Sequence, residues 1–169
     1  MIKLIDLLRE MVEDLEVPQE AYTGKVYSDS PNVWTHVTRH DAAIEDIKRK
    51  RKWLGKHEDL TRFVYGTQHR QGKRFPLTKD NKNSIYMQKG GLYIAEPTEK
   101  YPIKWLITTD LPDDAFQPNI NGGNTDTFKQ SYDIGVLKPK YRDIKNFKFY
   151  RFNPNDKKWH EFDIDKIKT

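Results

Sequence analysis

The residues best placed for chemistry begin with His36 and Thr38, which flank one residue at the end of a predicted strand. Side chains alternate along a strand, so residues two apart share a face and could act on one ligand. An imidazole and a hydroxyl can each hydrogen-bond a sugar hydroxyl. Two-histidine phosphoesterases need this pair twice, but no other histidine here is followed two residues later by Ser or Thr. The pattern therefore favours a site that uses the pair once.

A metal site is not expected. His36 and His40 have the i, i+4 spacing that can ligate zinc on one helix, but a predicted strand carries the first and a helix start carries the second. The chain contains no Cys, which excludes disulfides, thiolate zinc sites and a cysteine nucleophile.

Two further segments follow this pair along the chain. Residues 89–96 read Lys-Gly-Gly-Leu-Tyr-Ile-Ala-Glu, and Asp133 opens a late predicted strand. Together with the strand 33–38 and a helix ending near Gly55, they resemble the ADP-ribosyltransferase fold of the poly-ADP-ribose polymerase, RNA 2′-phosphotransferase and DNA-targeting toxin type. Residues 89–96 are similar to the Gly-Lys-Gly-Ile-Tyr-Phe-Ala-Asp segment of that family. At the place that Asp133 would occupy, the family has an acidic residue or Gln.

The resemblance implies an enzyme that transfers ADP-ribose from NAD to a nucleic-acid or protein acceptor, with His36, Tyr93 and Asp133 as catalytic residues. It also implies that His36 and Thr38 hold the ribose and that Tyr93 stacks on the nicotinamide, with Tyr86 as the alternative aromatic residue. Departure of nicotinamide builds positive charge on the ribose, which the Asp133 carboxylate would stabilise.

Each of these residues also has a structural interpretation. His36 could be a buried histidine with a backbone partner, Tyr93 a strand aromatic and Asp133 a turn residue. The second hypothesis is therefore a non-enzymatic protein, either a phage-type accessory or virion component or a basic nucleic-acid-binding module. The composition, rich in Lys, Asn, Asp and Tyr, resembles that of small proteins of tailed bacteriophages. Convergence of the three side chains on one cleft would favour the enzyme.

Two basic clusters keep nucleic acid open as a partner. Residues 48–52 are five adjacent cations near the end of a predicted helix, and at most two or three of them can share one helix face. Residues 69–74 lie in a predicted loop beside aromatic residues, a combination that can bind single strands. The plain alternative is a solvated helix end. The candidate contacts are Lys48, Arg49, Arg51, Arg70 and Arg74.

The elements that must position these residues indicate an α+β fold of mostly antiparallel strands. Residues 1–17 are predicted to form an N-terminal helical arm, and residues 18–169 a single domain. A helix is expected over 40–54, after the first core strand, with Thr38 as its N-cap and Asp41 as a capping-box-like partner. A hairpin is expected to turn at residues 153–156, Asn-Pro-Asn-Asp. Residues 110–132 are expected to form a long loop. The other predicted strands are residues 25–27, 62–66, 84–87, 92–95, 103–109, 133–137, 147–152 and 159–164.

Length and composition agree with a folded domain. The chain has 169 residues, 12% of them aromatic, and a net charge of +5. Aromatic and β-branched residues recur throughout, unlike in disordered chains. No apolar run approaches the ~18 residues of a membrane span, and the N-terminus lacks a signal-peptide pattern. We therefore expect no membrane partner and a cytoplasmic location, in the host cytoplasm if the protein is phage-encoded.

Overall fold

The fold combines one α-helix with antiparallel sheets, which confirms the expected α+β class. The computed structural model describes residues 17–28, 30–55, 83–89, 97, 99, 102–118 and 134–167, and the backbone of residues 61–64 and 73–76. The helix expected over residues 2–15 and the strand expected over 92–95 lie outside the described residues. In the described part no helix is long and apolar enough to cross a membrane.

The helix and strands follow the predicted order, with two additional strands. Helix α1 spans Asp41–Lys50. The strands are β1 Tyr22–Val26, β2 Trp34–Thr38, β3 Thr61–Val64, β4 Lys73–Pro76, β5 Tyr86–Lys89, β6 Trp105–Thr109, β7 Phe116–Pro118, β8 Ile134–Leu137, β9 Lys148–Asn153 and β10 Lys158–Phe162. Strands β4 and β7 had no sequence prediction, and β7 lies inside the segment expected to be a long loop.

Eight strands form one antiparallel sheet in the order β1-β10-β9-β6-β2-β5-β8-β7, and β3 pairs with β4 in a separate two-stranded sheet. Strand β2, which carries the His-x-Thr pair, is central and lies between β6 and β5. Its register places His36 opposite Ile107 of β6 and Trp34 opposite Lys89 of β5. Most side chains of β2 are therefore buried.

The main core lies between the sheet and α1. The helix contributes Ile44 and Ile47, which belong to the same buried cluster as Trp34, Trp105 and Ile107. Residues paired across a ladder share a face, so this helix side of the sheet also carries His36 and Thr38. On the far side, a smaller buried cluster consists of Ile103, Leu106, Tyr150 and Trp159.

Helix α1 ends earlier than expected. Its C-cap is Arg51, in the left-handed conformation with φ 60°, rather than Gly55. Residue 52 then forms a β-bridge with Asp143, which requires an extended chain where the sequence predicted helix. Gly55 also has a positive φ, of 71°, and a Cβ there would lie 2.6 Å from the backbone oxygen of Asn83. Glycine is needed at this position for a close approach, not for a helix end.

The C-terminal hairpin is confirmed. Strands β9 and β10 pair with Asn153 opposite Lys158 and Phe149 opposite Phe162. The Asn153 side chain accepts a hydrogen bond from the amide of Asn155, and the Asp156 side chain accepts one from the amide of Lys158. These short polar side chains stabilise the turn by occupying its backbone donors.

Candidate functional site

His36 lies on the helix side of the sheet and is 8% exposed. Its Nδ1 is 2.7 Å from the backbone oxygen of Tyr86 on the neighbouring strand. Because a carbonyl can only accept, Nδ1 carries the hydrogen in this contact. The ring also packs edge-on against Trp53, with centroids 4.8 Å apart and planes at 74°. The imidazole therefore links β2, β5 and the segment after the helix.

Thr38 is 6% exposed and lies one pleat beyond His36 on the same side. Its hydroxyl accepts a hydrogen bond from the amide of His40 at 3.2 Å. The N-cap residue of α1 is His40 rather than Thr38, and no side chain caps the helix there. Thr38 thus stabilises the turn between strand and helix.

The first helical residue, Asp41, binds two consecutive residues where β6 begins. Its carboxylate accepts from the indole nitrogen of Trp105 at 2.7 Å and from the ammonium of Lys104 at 3.4 Å. The expected capping-box role of Asp41 is therefore wrong, because its carboxylate is directed to β6. These contacts fix the helix against the strand beside β2.

Tyr86, the alternative aromatic residue, lies on the far side of the sheet. It immediately precedes Met87, which packs in the main core, and adjacent residues of a strand face opposite sides of the sheet. Tyr86 is 7% exposed. His36 therefore contacts the Tyr86 backbone, whereas the two side chains occupy opposite faces. They cannot both contact one ligand on one face, so the site accommodates either His36 with Thr38 or Tyr86.

A row of buried polar side chains crosses the far side of the sheet and was not predicted from the sequence. Gln88, Thr35 and Thr108 stand opposite one another on β5, β2 and β6, and each is 4–6% exposed. Gln88 Oε1 is buried and has no hydrogen-bond partner within the described part of the chain. A buried polar atom of this kind carries a desolvation cost and is uncommon. In the sequence, Tyr86 and Gln88 alternate with apolar residues, and this alternation was the one indication of a polar face on β5.

Tyr150 borders this row on β9. Burial raises the pKa of its phenol, the negative charge of Glu161 raises it further, and a hydrogen bond with Thr108 lowers it in part. The phenol therefore stays neutral at physiological pH, so the polar row carries no charge from this residue.

The two other predicted catalytic residues, Tyr93 and Asp133, lie outside the described residues. The last described residue before Tyr93 and the first one after Asp133 are on adjacent strands. Lys89, the first residue of the glycine-containing segment, pairs with Trp34, and Ile134, which follows Asp133, pairs with Gln88. The strands β2, β5 and β8 are consecutive in the sheet, and these positions lie at the same end of it.

At that end of the sheet, an ion pair and an aromatic stack join β5 and β2 to the segment that contains β7. The Lys89 ammonium lies 2.7 Å from a carboxylate oxygen of Asp113, in the turn before β7. Trp34 stacks on Phe116 of β7, with ring centroids 3.8 Å apart. The edge strand thereby covers the beginning of β2.

The predicted nucleic-acid contacts on the helix already have partners within the protein. Lys48 donates to the backbone oxygen of Ile167, Arg49 pairs with Asp46, and Arg51 pairs with Asp165. The hydrogen bond with Asp165 is the main cause that raises the pKa of Arg51. Arg70 lies outside the described residues, and only the backbone of Arg74, on β4, is described.

The described residues contain no group of three His, Asp or Glu side chains that could hold a metal ion. Comparisons with protein-family models, curated proteins and solved structures found no match. The resemblance to ADP-ribosyltransferases therefore depends on the sequence motifs alone.

Proposed function

We propose that the chain is an ADP-ribosyltransferase-like protein that binds NAD and transfers ADP-ribose to a nucleic-acid or protein acceptor. One observation carries the proposal: the strands that bear or adjoin all three motifs, β2, β5 and β8, are consecutive in the sheet. These motifs are about fifty residues apart in sequence, so chance gives no reason for their strands to be neighbours. A cytoplasmic location belongs to the same proposal, since NAD is an intracellular metabolite.

In this proposal the tautomer of His36 determines what it can do. Nδ1 donates to the Tyr86 backbone oxygen, so a neutral imidazole keeps Nε2 as an acceptor. A ribose hydroxyl would donate to that atom. The Nε2 atom is buried, and Trp53 packs against the ring. A ligand would therefore reach it after the Trp53 side chain moves.

Asp133 and Tyr93 would divide binding and catalysis between them. A tyrosine ring stacked on nicotinamide contributes to binding, typically about 0.5–1.5 kcal/mol beyond burial. A carboxylate beside the ribose acts mainly on the charge that develops in the transition state. Binding and turnover should consequently respond to different substitutions.

Calorimetry with NAD, combined with an assay for nicotinamide release, tests this division. We expect Tyr93→Ala to weaken NAD binding about 2- to 12-fold, the equivalent of the stacking energy. Asp133→Asn should leave binding nearly unchanged and reduce nicotinamide release by at least about 10-fold. Tyr27→Phe serves as the control, because it alters a tyrosine that directly follows β1, away from β2, β5 and β8, and retains its aromatic ring. Absence of NAD binding at millimolar ligand would exclude the enzyme.

The second candidate is a non-enzymatic accessory, virion or nucleic-acid-binding protein that uses a transferase-like arrangement of strands. The burial of His36 and Thr38 favours it, because both side chains already have backbone partners. In that case His36 is a structural residue. The same calorimetry separates the two candidates, since this one predicts no response to NAD.

A further inference from the structure

A β-bridge joins two basic segments that are about ninety residues apart in the chain. Lys52 pairs with Asp143, and two backbone hydrogen bonds flank the bridge, from Trp53 N to Arg142 O at 2.9 Å and from Ile144 N to Arg51 O at 3.1 Å. The end of α1 therefore lies directly beside residues 138–148, the connection between β8 and β9.

The joined segments concentrate the positive charge of the protein. Residues 48–52 contain five Lys and Arg, residues 138–148 contain five more, and Asp143 is the one carboxylate in either segment. The whole chain has a net charge of only +5, so its remainder is net negative. Clustering of this kind, rather than net charge, indicates a surface for an anionic partner.

Seven of the ten cations in this region fall into two groups. Lys48, Arg49 and Arg51 bind partners inside the protein. Lys50, Lys52, Lys140 and Lys145 are exposed, and none of their four ammonium groups has an acidic partner among the described residues. Lys148 is exposed as well, but it stands opposite Thr108, on the side of the sheet away from the helix. Two of the four come from each segment. An external anion would therefore meet these four lysines, rather than Lys48, Arg49 and Arg51, which the sequence favoured.

We propose that Lys50, Lys52, Lys140 and Lys145, here called the basic surface, bind the phosphodiester backbone of nucleic acid. A polymer of evenly spaced phosphates can contact separated cations at once, and each contact releases condensed counterions. Tyr141, half-buried with the Lys140 ammonium 5.0 Å from its ring centroid, places an aromatic ring next to these cations. The proposal is independent of NAD binding.

The composition of the surface favours nucleic acid over a lipid bilayer. Peripheral membrane segments combine cations with large apolar side chains that enter the acyl region. Val26 is the one exposed large hydrophobic residue in the described part of the chain, and it lies on β1 at the far edge of the sheet. The basic surface thus offers charge without an apolar anchor.

Binding of the full chain to a fluorescent 20-nucleotide single strand, measured from 50 to 200 mM NaCl, tests the proposal. If all four lysines contact phosphates, the log–log slope should be about −2.8, at ~0.7 per contact, so affinity falls about 50-fold across this range. K50Q/K52Q and K140Q/K145Q should each reduce the magnitude of the slope by about 1.4, and the quadruple variant should abolish most of the salt dependence. Duplex DNA and single-stranded RNA arms identify the preferred polymer.

Lys25 and Lys158 provide the matched control, since both are exposed lysines on β1 and β10, outside the basic surface. K25Q/K158Q lowers the net charge by the same amount as either double variant and should leave the slope unchanged. Binding by the quadruple variant equal to that of the parent protein would overturn the proposal. No binding to any of the three polymers, or binding only to phosphatidylserine vesicles, would overturn it as well.

Discussion

A buried histidine can position a strand as well as take part in chemistry, and His36 has the contacts for positioning. Its Nδ1 donates a hydrogen bond to the Tyr86 carbonyl on the neighbouring strand, and its ring packs against Trp53. The carbonyl belongs to β5, two positions before the polar side chain of Gln88. A ligand site that uses β2 and β5 therefore depends on His36, whether or not the imidazole contacts the ligand.

Substitutions of His36 should separate its hydrogen bond from its packing. His36→Leu removes the donor and leaves the Tyr86 carbonyl unpaired, which should lower the free energy of unfolding by about 1–3 kcal/mol. His36→Asn keeps an amide nitrogen near the position of Nδ1 and should recover part of that loss. Urea unfolding of the full chain measures both. Equal stability of the two variants would show that the hydrogen bond contributes nothing.

The sequence predicted which residues of β2 share a face, but it could not predict which face the helix covers. The strand reads Trp-Thr-His-Val-Thr, so apolar and hydroxyl-bearing residues occur on both sides. The choice follows from partners distant in sequence, namely Trp53 on one side and Thr108 of β6 on the other. For the same reason the far-side position of Tyr86 and the buried row around Gln88 had no unambiguous sequence signal.

At the scale of elements, turn chemistry was the most reliable guide. Asn153 and Asp156 predicted the hairpin because their side chains bind backbone amides only a few residues away. The end of α1 was predicted wrongly because it depends on a long-range contact, the bridge from Lys52 to Asp143. Strand β7 was missed because Pro118 and its neighbours read as a loop, whereas the stack of Phe116 on Trp34 places this short strand at the edge of the sheet.

Two glycines with positive φ allow the cost of close packing to be separated from backbone strain. A Cβ at Gly24, where φ is 87°, would have no atom within 4 Å, whereas a Cβ at Gly55 would lie 2.6 Å from the Asn83 backbone oxygen. Gly24→Ala should cost about 1–2 kcal/mol from strain alone. Gly55→Ala should cost more, because the segment after the helix must also move away from Asn83. Thermal unfolding compares them, and an equal loss for both would contradict the contact.

For the whole molecule, the candidate NAD site and the basic surface involve different elements. The candidate site is built on β2, β5 and β8, which run from the middle of the sheet toward its β7 edge. The basic surface is built on the end of α1 and on the connection after β8. Strand β8 joins these regions in sequence, since Asp133 precedes it and Lys138 follows it. A nucleic acid held on the basic surface would lie beside an element of the candidate site.

If nucleic acid is the acceptor of the proposed transfer, the basic surface should act on transfer without acting on NAD. The quadruple variant K50Q/K52Q/K140Q/K145Q should then release nicotinamide from NAD at the parental rate in the absence of oligonucleotide. Its KM for oligonucleotide in the transfer reaction should rise in proportion to the lost affinity, because these lysines contribute binding equally in the ground and transition states. Gel-shift detection of the modified strand measures the reaction, with Asp133→Asn as the inactive control. K25Q/K158Q, which matches the charge change of each double variant, should leave the KM for oligonucleotide unchanged, whereas K50Q/K52Q and K140Q/K145Q should each raise it. An unchanged KM would mean that the acceptor is a protein or binds elsewhere.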